Sequence, residues 1–144
     1  MSFQWLHMRI QEEQERRQRE AETLKRLPES LEELYRILKQ GVDDYAAAFG
    51  GDTADIVLLP TRIKVTLRER REGKLQPAGK VEVVLTPEIP GYRIERGEYS
   101  LAVEVGLLPS GKLYYRDREQ DAYLTMEDLT RRVLDRVLFP KLRD

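Results

Sequence analysis

Apolar residues follow two rhythms along this chain, and the change between them falls near Thr53. Before it, Leu24, Leu27, Leu31, Leu34 and Leu38 recur at alternating spacings of 3 and 4, which draws a single leucine seam down one side of a helix. Carried forward, the same frame passes Gly41 and reaches Tyr45. Carried backward, it crosses Glu20, Arg17 and Glu13 before regaining apolar residues at Ile10, Leu6 and Phe3. The frame therefore has two apolar ends and a charged middle. That middle, Gln11 to Glu20, holds no apolar side chain, yet Glu12, Glu13 and Glu15 precede Arg16, Arg17 and Arg19 by four residues in the order that favours a helix. Each such pair adds about 0.3–0.5 kcal/mol. A helix that buries nothing is a solvated arm or bridge, or it needs a partner chain.

Pro28 interrupts the frame. Its ring removes the bond to the carbonyl of residue 24 and clashes with it, at about 3 kcal/mol inside a helix. Ser30 followed by Glu33 has the spacing of a capping box, the signature of a fresh start. The sequence thus predicts one helix over 5–26 and a second over 30–48, with a kink or short break between them. Phe49-Gly50-Gly51-Asp52 supplies the stop and the turn that follows.

Beyond Thr53 the period becomes 2. Ile63, Val65 and Leu67 alternate with Arg62, Lys64, Thr66 and Arg68, Val81, Val83 and Leu85 with Glu82, Val84 and Thr86, and Tyr99, Leu101, Val103, Val105 and Leu107 with Ser100, Ala102, Glu104 and Gly106. Each run reads as a strand with one buried and one wetter face. Shorter strand candidates lie at 56–59, 92–95, 112–116 and 122–124, separated by turn residues such as Glu72-Gly73-Lys74 and Arg96-Gly97-Glu98. Connections this short favour an antiparallel meander over parallel crossovers. A last helix begins after Thr125, its cap, with Asp128 at the third helical position and Met126, Leu129, Val133 and Val137 along one side. The predicted fold class is α+β: an N-terminal helical arm and helix, an antiparallel β meander of about five to seven strands, and a C-terminal helix packed on one sheet face. The predicted division is a charged helical arm over 1–28 and a single domain over 29–144.

Composition narrows the chemistry more than the fold. A net charge of −1 gives no global attraction for nucleic acid or anionic lipid. Without cysteine there is no disulfide framework, thiolate metal site or cysteine nucleophile, and the single histidine, His7, leaves a Ser-His-Asp triad or a His-rich metal site nothing further to use. No complete catalytic motif stands in the chain, so no enzymatic activity, cofactor or metal is expected. The leading residues lack a basic leader and a continuous apolar stretch, and no run is long enough to span a bilayer; a bacterial cytoplasm is the expected setting.

Several patterns resemble sites and have plainer readings. Gly106-Leu-Leu-Pro-Ser-Gly111-Lys112 has the glycine and lysine spacing of a phosphate loop, but Leu113 stands where Ser or Thr should follow, and strand rather than helix comes next. A hairpin turn explains it. Asp117, Glu119, Asp121 and Asp128 occupy calcium-loop positions, but Ala122 replaces the glycine that makes the sharp turn. Adjacent carboxylates at 32–33 and 43–44 point about 100° apart on a helix and need not converge. Between Arg62 and Lys80, seven basic residues face two acidic ones, a local charge of +5, and the plainer reading is a wet sheet face whose arginines pair with Glu82, Glu95 or Glu104 on neighbouring strands. From Pro28 to Asp55 the balance reverses, with seven acidic residues and two basic.

Three functions follow as expectations. The first is a small homo-oligomeric interaction module that self-associates through Phe3, Trp5, Leu6, Met8, Ile10, Leu24 and Leu27, since the apolar tip has no local core to enter. The second is a nucleic-acid-associated protein that tracks phosphates with Arg62, Lys64, Arg68, Arg70 and Arg71. The third is a small-molecule binder whose tyrosines line a pocket between sheet and helices.

Overall fold

The computed structural model describes residues 2–142. Helix α1 (Gln4–Phe49) leads into seven strands, β1 (Ala54–Leu59), β2 (Arg62–Arg71), β3 (Lys74–Thr86), β4 (Gly91–Arg96), β5 (Tyr99–Leu107), β6 (Leu113–Asp117) and β7 (Ala122–Leu124), and the chain closes with helix α2 (Met126–Leu138). The strands form one sheet in sequence order, each antiparallel to the next. This is the α+β meander that the alternating pattern predicts. Both helices lie on the same face of the sheet, where Leu31, Leu34 and Leu38 of α1 and Leu129, Val133 and Val137 of α2 meet Ile63, Val65, Val81, Val83, Ile94, Val103 and Val105. Among the described residues no helix is long and apolar enough to cross a membrane.

The predicted break at Pro28 is absent: α1 is a single helix of 46 residues that runs through the proline. The reason lies in the leucine seam. Its 3-and-4 spacing continues unbroken across Pro28, so only a continuous helix keeps Leu27 on the same side as Leu31, Leu34 and Leu38, all of them buried. Of these four only Leu27 precedes the proline, and its burial, roughly 1.5–3 kcal/mol, together with that of Thr23 and the margin contact of Leu24 is of the size of the local penalty of about 3 kcal/mol for an interior proline. Pro28 itself faces solvent. Ser30 is not a cap. It is buried, its hydroxyl donates to the Leu27 carbonyl at 2.8 Å, and it shares a hydrogen bond with the hydroxyl of Tyr92 on β4. That polar contact pins the centre of α1 to the sheet, and the burial around Tyr92 pushes its phenol above the ordinary tyrosine range.

Elsewhere the local chemistry acts as the sequence suggests. Thr125 and Asp128 form a complete capping box at the start of α2. The turn at 108–112 is a hairpin between β5 and β6, closed by Leu108 N–H to the Lys112 carbonyl at 2.8 Å, with Gly111 at φ 88°. Pro77 sits at a register shift in the pairing of β2 with β3, a position where the missing N–H is tolerated.

Contact with the sheet side starts at Thr23, which is buried, ahead of the boundary at 28 that composition suggests. Arg26 adds a hydrogen bond to the Gly111 carbonyl at 2.6 Å. The residues of α1 before Glu20 are almost all exposed. They extend the helix by about 24 Å at 1.5 Å per residue.

Replacing Pro28 with Ala tests the continuous helix. It restores one main-chain bond inside a helix that is already held in place, so stability to urea should rise by about 1–3 kcal/mol, reduced somewhat by the freer unfolded chain. An unchanged or lowered midpoint would show that α1 is broken there.

Candidate interaction site

Five large apolar side chains crowd the first two turns of α1: Phe3 just before it, then Trp5, Leu6, Met8 and Ile10. All are exposed, Trp5 at 65% and Met8 at 57%. At about 100° per residue, Phe3, Leu6 and Ile10 form one stripe, and Trp5 and Met8 form a second on roughly the opposite side. Leu24 and Leu27, grouped with the tip by sequence, are placed differently. Leu27 is part of the chain's own core and Leu24 packs against its margin.

The charged stretch between tip and sheet is laced by ion pairs, though not those that spacing alone selects. Glu13 pairs with Arg17 at 3.1 Å as expected. Arg16 turns instead to Glu13 at 2.7 Å and to Glu20 at 2.6 Å, and Glu12 pairs backward with Arg9 at 2.8 Å. The hydrogen bonds from Arg16 and then Arg17 hold the Glu13 carboxyl at about 2, well below the usual carboxylate range.

The basic strand β2 does not present a bare cationic strip. Arg62 lies 3.5 Å from Glu82, Arg68 3.2 Å from Asp55, Arg70 2.8 Å from Asp52 and Arg71 3.0 Å from Glu69. Lys64 stands directly across from Glu82 in the β2–β3 register. Tyrosines divide likewise: Tyr92 and Tyr115 are buried and stack at 6.2 Å beneath α1, while Tyr99 and Tyr123 are exposed. Tyr114 lies on the outer sheet face over Gly106, where any Cβ would strike its ring. Its hydroxyl donates to Glu104 at 3.0 Å, and Arg116 holds the same carboxylate at 2.6 Å. Burial alone would raise the Glu104 carboxyl, but these two donors outweigh it and leave it below the ordinary value.

Asp117, the first residue of the calcium-like pattern, is 1% exposed and points inward. Its Oδ1 accepts the amides of Glu119 and Gln120 at 2.9 and 3.1 Å, an aspartate turn that carries the chain from β6 into β7. Its Oδ2 faces Arg132 of α2 at 3.3 Å, close enough for an ion pair but without hydrogen-bond alignment. The carboxylate thus ties α2 to the sheet edge.

One surface escapes the sequence pattern. Between the last turns of α1 and the length of α2 runs an open groove of about 600 Å3, walled by Tyr45, Ala48 and Phe49 on one side and by Leu134, Leu138 and Phe139 on the other. Gly41 lets the two helices approach closely there: a Cβ would sit 3.1 Å from a methyl of Leu134. Tyr45 contacts both Phe49 and Phe139, with ring centroids 4.7 and 5.6 Å apart, and Phe49 remains mostly exposed. The signal in the sequence was Leu134, an apolar position off the core stripe of α2. No family model, curated protein or solved structure matches this chain.

Arg132→Met should cost about 3 kcal/mol, the low end for breaking a buried pair because the Arg132 side chain keeps 28% exposure. Arg131→Met, one position along, should stay within about 0.5 kcal/mol in the same urea titration. Equal effects would remove the tie between α2 and Asp117.

Proposed function

We propose that this protein is a homo-oligomeric interaction module that assembles through the tip of α1, working in a cytoplasm. The observation that carries the reading is the cluster Phe3, Trp5, Leu6, Met8 and Ile10, all exposed on a helix end that projects beyond the domain. Scattered exposed apolar residues are ordinary, but five large ones within the eight residues Phe3–Ile10 at a helix end mark a contact site. The charged stretch supports the same use. It keeps the arm helical and soluble without burying anything, and so sets the tip at a fixed distance from the sheet. A nucleic-acid role for β2 draws less support, because phosphates would compete with the carboxylates that already hold Arg62, Arg68, Arg70 and Arg71.

Light scattering on the full chain and on Leu6→Glu/Ile10→Glu tests this. Both positions are exposed, so the variant should keep its fold and circular dichroism. The full chain should show a multiple of 16.9 kDa and the variant 16.9 kDa itself. A full chain that stays at the single mass across the concentration range would end the proposal.

A further inference from the structure

We infer that the groove between the end of α1 and α2 is the receptor for the apolar tip of α1 from a second copy of this chain, so that two copies exchange arms reciprocally. The inference rests on the proposed assembly through the tip and names where that tip goes.

Geometry supplies the first argument. Tip and groove belong to one continuous helix, with Leu6 and Ala48 forty-two residues apart, or about 63 Å at 1.5 Å per residue. While α1 stays whole, the tip cannot reach the groove of its own chain. A second copy running antiparallel brings its tip to that place and offers its own groove in return. The contact closes on itself about a two-fold axis near the middle of α1 and leaves no end open for a third copy.

Shape supplies the second. The groove has two walls, one from each helix, and the tip has two apolar stripes on roughly opposite sides. Because Tyr45 and Phe139 meet across the floor of the groove, the tip lies over it and seats one stripe, Phe3, Leu6 and Ile10, in the helix-in-groove mode of recognition with anchors at i, i+3 and i+7. Reciprocity doubles the buried surface, and a specific interface needs roughly 1,200–2,000 Å2 in total.

Charge supplies the third. The tip carries Arg9, paired on its inner side with Glu12, and no acidic side chain before Glu12. The groove is rimmed by Asp44, Glu127 and Asp135 against Arg131. The tip of one copy therefore brings positive charge to a mostly negative rim.

The natural chain has no cysteine, so introduced thiols report cleanly. The experiment compares Leu6→Cys, Ala48→Cys and the double variant Leu6→Cys/Ala48→Cys, each first weighed in reducing buffer by light scattering and then oxidised and run on a non-reducing gel. Arm exchange predicts that the double variant converts mostly to a covalent dimer. Each single variant should remain uncrosslinked, because like positions of the two copies sit about 63 Å apart while bridged residues need Cα atoms within about 7 Å. Two results overturn the inference while leaving assembly through the tip intact. One is a self-associated protein in which Leu6→Cys alone crosslinks, which would put tip against tip. The other is a self-associated protein in which the double variant stays uncrosslinked, which would put the tip elsewhere. A natural chain of single mass at every concentration removes both the inference and the reading beneath it, and leaves the tip for a different protein.

Discussion

Leu24, Leu27, Leu31, Leu34 and Leu38 have to share one side of α1, because the sheet beneath them is covered there by nothing else. Holding that side through Pro28 requires the helix to continue, and the continuity decides the shape of the molecule. Half of α1 lies clamped on the sheet by the leucines and by the Ser30–Tyr92 contact. The other half has no choice but to project along the same axis. An isolated helix of about sixteen residues is marginal in water because its first turn is costly to form. Here that turn is already made in the core, and the arm only has to propagate from it, helped by the pairs Arg16 makes with Glu13 and Glu20.

The result is a rod that separates two apolar surfaces by most of its length. At one end stand Phe3, Trp5, Leu6, Met8 and Ile10; at the other the aromatic groove of Tyr45, Phe49 and Phe139. A charged middle keeps the chain between them from collapsing onto either. The distribution of carboxylates reinforces this. Asp52 and Asp55 are spent on arginines of β2, and Asp117 on Arg132, while Asp44, Glu127 and Asp135 stand at the groove rim, where Arg9 of an arriving tip would come.

Much of the fold was legible in the sequence because sheet and α2 obey local rules. Period-2 alternation located the strands, turn residues located the hairpins, and Thr125 with Asp128 located the helix start. Pro28 and Ser30 misled for a shared reason: each carries a strong local preference that burial overrides, one by the leucine seam and the other by Tyr92. On β2 the sequence already offered Glu82 as a partner for the basic stretch, and Arg62 lies beside it. Asp55 and Asp52, the partners of Arg68 and Arg70, come alongside only when β1 pairs with β2. The apolar tip was readable, since nothing near it in sequence could cover it. The groove was not, because it depends on two helices separated by the entire sheet and on the close approach that Gly41 allows.

The central claim, that α1 is one rigid helix joining core to tip, is open to a direct distance measurement. Spin labels at Gln14→Cys and Gln40→Cys sit on exposed positions on either side of Pro28. With the labelled chain diluted into unlabelled protein, the account predicts a narrow distribution centred about 39 Å between the two backbone sites. A broad distribution weighted to shorter separations would mean that the helix breaks at Pro28 and that the arm is not held out by the core.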